Sequence, residues 1–455
     1  MTEPQRQPES TTGRQRPQDE LKLEREHGAL CLGKRSYPVW TPAMVKARDE
    51  YRAAGRRWNL LYDKLYSPRN LRAAWEQVEE NGGAAGISGE TIAVYREGLE
   101  ARLLRLAQKL KDQGFTARPI RRAYIPKGNG KQRPLGIPEV EDRIVQAAMV
   151  RLIEPIFEAK FLEVSHGFRP ERSAHQALAE LMAALEAGFT EVVDADICDC
   201  FGSIPWGPLM EQVAWEVSDP KVLGLIRQFL KAEVMEDGQR WQPEGGTPQG
   251  AVLSPLLANI YLHRFDLEMT RAGYKLVRYA DDFVVLCRTR SEAEQAKEKA
   301  QQTLDAMGLK LHPEKTRVVD ATRERFQFLG YEFWPEGRHP RPSSSLKLKD
   351  RIRARTPRNP GRSLRQVIAN LNPTLRGWYA YFRYSFGNVF ATVDGFVRRR
   401  LRSILRKFSK RRGTARPEDN VRYPNRIFEK LGLVSLAQMH AAESGGCKLI
   451  AFPAR

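Results

Sequence analysis

Tyr274-Lys-Leu-Val-Arg-Tyr-Ala-Asp-Asp-Phe-Val-Val-Leu-Cys287 sets two apolar runs on either side of Ala280, Asp281 and Asp282. β-Branched and aromatic residues flanking a polar pair read as a hairpin with Asp281 and Asp282 at its tip. Two carboxylates forced together at a strand end repel each other unless a cation lies between them. Hard divalent cations with oxygen ligands, Mg²⁺ above all, are the usual partner. The competing reading is a surface turn in which aspartates merely tolerate unusual dihedrals. The rest of the chain decides between the two.

Upstream, Glu191-Val-Val-Asp-Ala-Asp-Ile197 reads as a strand. It puts Asp194 and Asp196 on one face, because strand side chains alternate. Phe201 and Gly202-Ser203-Ile204-Pro205 follow, and Gly245-Gly-Thr-Pro-Gln-Gly250 forms a loop entering the apolar run 251–261. Downstream, Ser291 with Glu294 predicts a capping box. Ala293, Ala296, Ala300, Leu304 and Met307 then recur at helical spacing up to Gly308. Pro313-Glu-Lys-Thr-Arg317 and Phe326-Gln-Phe-Leu-Gly-Tyr-Glu-Phe333 end the region. Strand, helix, strand hairpin, helix, strand is the split βαβ pattern, an antiparallel sheet with helices on one face. This α+β layout brings Asp196 beside Asp281, as two-metal phosphoryl transfer requires.

Length and charge narrow the partners. A chain of 455 residues predicts two to four domains. The formal charge is +20, from 75 Lys+Arg against 55 Asp+Glu. A neutral metabolic enzyme has no need of that excess, whereas a phosphate backbone does. Arg398-Arg-Arg400, Arg402, Arg406-Lys407 and Lys410-Arg-Arg412 crowd one region, which favours nucleic acid over an evenly solubilised surface. Cys31, Cys198, Cys200, Cys287 and Cys447 form no C-x₂-C pair, so reduced thiols are expected. No apolar stretch approaches the length needed to span a bilayer, and the N-terminus lacks the apolar core of a secretory signal. A soluble, cytoplasmic protein is expected.

Residues 1 to about 28 are too poor in large apolar groups to build a core and predict a disordered arm. Met44, Ala47, Tyr51, Ala54, Trp58 and Leu61 predict an amphipathic helix, followed by a second that Asn70 opens and Asn81-Gly82-Gly83 closes. Asn129-Gly130 predicts a hairpin flanked by Arg121, Arg122, Lys127, Lys131 and Arg133. Such a hairpin can fold over a triphosphate or stand exposed with ordinary cations. An apolar helix is predicted over 142–157, and a linker past Gly337. Leu364, Val367, Ile368 and Leu371 predict a helix stopped near Asn372-Pro373. Leu375, Trp378, Tyr379 and Phe382 predict a second. The third, with Val393, Val397, Leu401, Ile404, Leu405 and Phe408 on one face, carries the arginine cluster on the other.

In this order the pieces resemble the reverse transcriptase–maturases encoded by group II introns. The matching residues are Tyr124-Ile-Pro-Lys127 with Arg133-Pro-Leu-Gly-Ile-Pro138, Gly167-Phe-Arg-Pro170 and Asp194-Ala-Asp-Ile197. They continue with Gly246-Thr-Pro-Gln-Gly250, Tyr279-Ala-Asp-Asp282, Pro313-Glu-Lys-Thr316 and Leu371-Asn-Pro-Thr-Leu-Arg-Gly-Trp-Tyr-Ala-Tyr-Phe382. The resemblance implies a right-hand polymerase: fingers and a split-βαβ (ferredoxin-like) palm, then an α-helical thumb or maturase domain and a short basic C-terminal region. The expected domains are a disordered basic arm (1–40), a helical extension with the start of the fingers (41–115), and fingers and palm (116–336). A thumb or maturase domain (337–412) and a basic, DNA-binding tail (413–455) follow.

Carried over, the resemblance places two Mg²⁺ ions on Asp196, Asp281 and Asp282, helped by the Ile197 carbonyl, with Lys315 protonating the leaving group. Lys127, Lys131 and Arg133 would neutralise the nucleotide triphosphate, Phe201 would exclude a ribose 2′-hydroxyl, and Gln249 and Gly250 would line the nascent base pair. Phe328 to Tyr331 would support the primer end. Arg376, Arg398, Arg399, Arg402 and Arg406 would bind RNA. Implied partners are group II intron RNA, an RNA template, a DNA primer or target, and dNTPs, with no membrane. A bacterial protein, cytoplasmic and nucleoid-associated on DNA, is implied. Three departures stand out: Gly202-Ser203 for a common Asp-Asn, Ala251 for a common Gly, and Ser88 in Gly86-Ile-Ser-Gly89 for a frequent Asp. The endonuclease module of some relatives, with its Cys and His ligands, is expected to be absent. Alternatives are a domesticated relative in defence or repair, and a splicing cofactor with an idle polymerase.

Overall fold

A computed structural model describes residues 57–444 except 129, 130, 336 and 412, with Met44, Lys46, Glu50 and Ala54 ahead of them. The predicted arm (1–40), most of the helix predicted from Thr41, and the end of the tail lie outside the described residues. In chain order the elements used below begin with α1 (Pro68–Asn81), β1 (Ile120–Gly128), β2 (Lys131–Ile137), α2 (Val140–Glu158) and α3 (Ala174–Glu186). Next come β3 (Glu191–Asp196), α4 (Cys200–Ser203), β4 (Val234–Glu236), β5 (Gln239–Trp241), α5 (Ser254–Arg271), β6 (Lys275–Tyr279) and β7 (Asp282–Cys287). The rest are α6 (Arg290–Ala306), β8 (Arg317–Asp320), β9 (Phe326–Phe328), β10 (Tyr331–Trp334), β11 (Gly337–Pro340), α7 (Pro342–Arg355), α8 (Leu364–Phe382) and α9 (Gly387–Phe408).

Two compact units divide these elements. The first takes the residues up to Ala174, Cys198–Leu267 and Leu304–Leu309; the second takes His175–Ile197, Glu268–Thr303 and everything from Lys310. In the first unit, β1 and β2 form the predicted hairpin, with Gly128 opposite Lys131. Their sheet runs β2-β1-β4-β5. Helix α2 is buried almost along its whole length. Just before it, the Glu139 carboxylate accepts from the Ser88 N–H (2.8 Å) and hydroxyl (2.6 Å). An aspartate at 88 would set two carboxylates together there, so Ser88 is the residue that this loop requires.

The second unit holds the sheet that decides the fold. Its order is β6-β7-β3-β8, antiparallel throughout, the split βαβ arrangement that the pattern predicts. Helix α3 lays Ala177, Leu178, Leu181 and Leu185 on Val192, Val277, Val284, Leu286 and Val319. A second core joins Leu348 and Ile352 of α7, Val367, Leu371 and Leu375 of α8, and Val397, Leu401 and Ile404 of α9. No helix among the described residues is long and apolar enough to cross a membrane.

Five local expectations are corrected. Trp58 is no helical residue: it bridges to Val217, and its carbonyl accepts from Ser218 N–H (2.7 Å). Helix α1 is capped by Ser67, with Pro68 at N1 where a missing N–H costs nothing. Asn70 instead lies buried, donating to the carbonyls of Leu65 and Ala148 (3.1 Å each). Ahead of α6 the capping hydroxyl belongs to Thr289, which accepts from Glu292 N–H (3.2 Å), two residues earlier than Ser291. Pro373 does not stop a helix, because the stripe Leu364, Val367, Ile368, Leu371, Leu375 and Tyr379 stays buried on both sides of it. Tertiary burial outweighs the one helical hydrogen bond that proline removes. Finally, the supposed linker past Gly337 is strand β11 and helix α7. Gly337 has φ +149°, and a Cβ there would overlap the Phe386 ring, so glycine marks close packing.

Candidate active site

The acidic site grows out of the pairing of β7 with β6 on one side and β3 on the other. Tyr279 pairs with Asp282 across β6 and β7, so the two-residue tip is Ala280-Asp281 and Asp282 already begins β7. Ala280 takes φ 59°, a conformation open to few residues other than glycine. Its carbonyl accepts from Nη1 of Arg278 (2.9 Å), a side chain with no exposed surface. On the other side of β7, Asp196 is the direct cross-strand partner of Asp282. One sheet end therefore carries Asp196, Asp281 and Asp282, as the sequence predicts.

Electrostatics show how crowded this end is. Burial first, then the charges of Asp281, Asp196 and Asp194, push the Asp282 carboxyl up to about 7. Water still reaches the Asp282 side chain, so part of the shift comes from its negative neighbours. Asp194 rises to about 6 through burial, although Arg317 (3.4 Å) opposes the rise. Lys315 forms an ion pair with Asp196 Oδ2. The carboxylate oxygens do not close into a ready cage: among the described residues no group of three or more His, Cys, Asp or Glu side chains is already arranged to hold a metal ion. The donor set nevertheless fits hard divalent cations, which prefer carboxylate and carbonyl oxygens. Ile197 bridges Leu311, and the bridge closes through His312 N–H donating to the Asp196 carbonyl (2.8 Å).

In the first unit, the predicted nucleotide-binding residues fall on two segments stitched together. The loop 245–250 is held to the turn around α4 by Thr247 N–H on the Phe201 carbonyl (2.6 Å) and Gly246 N–H on the Ile204 carbonyl (2.8 Å). Its other side is held to β2 by Gly136 N–H on the Gln249 carbonyl (2.6 Å). Gly250, with φ +103°, lies so close to the Gly136 carbonyl that a Cβ would clash. Phe201 is half-buried, edge-on to Phe168 at 6.1 Å, so it is no simple core residue. Asp199 sits over Gly202, where any side chain would overlap its carboxylate, and accepts from Gln249 Nε2 (3.3 Å). The Gly202 departure thus makes room for the Asp199 carboxylate. Arg133 lies opposite Ile125 on the hairpin and is half-buried. The side chains of Lys127 and Lys131 lie outside the described residues.

The cationic helix requires a correction. Arg376 and Arg399 are exposed and Arg398 half-exposed, as a backbone-binding face requires. Arg402 and Arg406 are each only 7% exposed. Arg402 donates to the Tyr423 carbonyl (3.0 Å) and Asn425 Oδ1 (2.7 Å), and Arg406 to both oxygens of buried Asp419 (3.1 and 2.9 Å). Both guanidiniums are buried and turned onto oxygens of the fold, Arg402 on a carbonyl and an amide oxygen and Arg406 on a carboxylate, so neither presents an open cationic surface to a phosphate. Helical spacing alone could not reveal Asp419 as the partner.

One further feature escaped the sequence reading. The tip between β9 and β10 is Leu329-Gly330, and both of its carbonyls are taken: Leu329 by the Tyr381 hydroxyl and Gly330 by Arg341 N–H, each at 2.9 Å. The only sequence signal was the aromatic density of Trp378-Tyr-Ala-Tyr-Phe382.

Comparison with known proteins adds names to these regions. Residues 125–333 match the family described as reverse transcriptase (RNA-dependent DNA polymerase), and residues 346–421 the group II intron, maturase-specific domain. The chain is 40% identical over 209 residues to group II intron-encoded protein LtrA of Lactococcus lactis subsp. cremoris, which covers 45% of this chain and 34% of that protein. It is 32% identical over 285 residues to protein YkfC of Escherichia coli (strain K12), 54% of this chain and 74% of that one. The solved structure of telomerase from Candida albicans aligns over 68% of this chain and 63% of its own, at 13% identity and a TM-score of 0.42. The chain thus spans about a third of LtrA and about three quarters of YkfC.

Proposed function

This chain belongs to the family of group II intron-encoded reverse transcriptases and maturases, and we propose that it copies RNA into DNA and binds the RNA of its own intron to assist splicing. The observation that carries the catalytic half is the pairing of Asp196 with Asp282, with Asp281 at the adjacent tip. In this reading Asp196, Asp281, Asp282 and the Ile197 carbonyl hold two Mg²⁺ ions. Bound there, the ions supply Lewis acidity to a primer 3′-hydroxyl and neutralise a pyrophosphate leaving group.

The chain's own side chains do the rest. Lys315, already paired with Asp196, carries the ammonium that protonates the leaving pyrophosphate. Arg133, Lys127 and Lys131 neutralise the triphosphate, and Arg offers forked contacts that Lys cannot. The half-buried Phe201 ring rejects a ribose 2′-hydroxyl, and Gln249 and Gly250 line the new base pair. Arg376, Arg398 and Arg399 grip the RNA backbone, in keeping with the +20 charge.

The test is extension of a DNA primer on an RNA template by the purified full chain with Mg²⁺ and dNTPs. Incorporation supports the proposal. Binding of intron RNA without any extension favours a splicing cofactor with an idle polymerase.

A further inference from the structure

The Leu329-Gly330 tip holds Leu329 in a conformation that leucine does not favour. Leu329 has φ 48° and Gly330 φ 80°, two successive left-handed positions. For leucine that backbone costs free energy and persists only where the surroundings over-determine it. Here they do. The Tyr381 hydroxyl donates to the Leu329 carbonyl and Arg341 N–H to the Gly330 carbonyl, each at 2.9 Å. Tyr381 is fixed in turn: its carbonyl accepts from the Tyr331 hydroxyl at 2.6 Å, and His175 Nε2 lies 2.9 Å away. Tyr279, two residues before Asp281, packs against the same hydrophobic core as Leu329 and Tyr381. One tyrosine of α8 thereby joins the tip to the acid-bearing hairpin.

We propose that Tyr381, within the region matching the maturase-specific domain, is a positioning residue for the primer in DNA synthesis. The inference rests on the polymerase reading above, in which the β9–β10 tip supports the primer end. The Tyr381 hydroxyl fixes that tip, and its ring packs against the core that also receives Tyr279 of the acid-bearing hairpin. A domain matched to RNA splicing would then also set the geometry of polymerisation.

Tyr381→Phe keeps the ring and removes only the hydroxyl. Losing one such bond is expected to lower kcat/KM for primer–template roughly twofold to tenfold, with the KM for dNTP unchanged. The Kd for a fluorescently labelled primer–template, measured in an Asp281→Ala background where no turnover occurs, should weaken by a similar factor. Tyr331→Phe, which removes the bond to the Tyr381 carbonyl, should show the same primer-specific loss and serves if Tyr381→Phe fails to fold. Unchanged kcat/KM and Kd, or equal losses for primer and dNTP, overturn the inference. A wild-type chain that binds primer–template yet never extends it overturns the polymerase reading instead, and the Kd comparison still decides the role of Tyr381.

Discussion

The end of the β6-β7-β3-β8 sheet and helix α9 both gather charges of one sign, and they resolve the repulsion in opposite ways. At the sheet end, Asp196, Asp281 and Asp282 stay within reach of water, and burial together with the neighbouring negative charges raises the Asp282 carboxyl. On α9, Arg402 and Arg406 turn inward and spend their donors on Tyr423, Asn425 and Asp419. Charge left open to solvent is charge available to a ligand, whereas charge buried in a pair serves the fold. The same contrast separates exposed Arg399 from Arg402, one turn on, and Arg406, two turns on.

The comparison can be broken at four points. The largest effect belongs to Asp196→Asn, which should lower primer extension on the order of 10³-fold without lowering the melting temperature. A destabilised variant would mean that Asp196 serves the sheet instead. Next, Asp419→Ala strands the Arg406 guanidinium and should cost roughly 3 kcal/mol in urea unfolding. A neutral outcome would return Arg406 to the cationic surface.

A third point is a buried acid outside both regions. Burial raises Asp142 to about 7, against the hydrogen bond that it accepts from Arg118 N–H. Because its folded pKa lies above the unfolded one, the folded state binds the extra proton, and stability falls as pH rises from about 4 to 7. Asp142→Asn should remove that slope and gain on the order of 2 kcal/mol at pH 8, less than the full shift implies because buried sites relax. The gain should vanish near pH 4. The smallest effect is Arg399→Ala: weaker RNA binding, with a log K against log salt slope shallower by about one. Arg402→Ala should leave that slope unchanged.

How much was legible in the sequence follows from the range of the forces involved. Strand alternation is local, so Asp196, Asp281 and the antiparallel order of the sheet could be read from spacing. Positive-φ positions and close backbone approach could also be anticipated where glycine marks them, as at Gly250. Long-range partners could not. Nothing near Arg406 in sequence announces that Asp419 will capture it, and nothing near Leu329 announces the Tyr381 hydroxyl. Pro373 misled for the same reason: a local rule broke the helix, and burial from a distant core restored it.

The central claim is that the acids of one sheet end carry the chemistry. It is tested most directly by the rate of RNA-templated primer extension at saturating Mg²⁺, wild type against Asp281→Ala, with both proteins shown to be folded and to bind primer–template equally. The expected ratio is on the order of 10³ or more. Equal rates would contradict the claim.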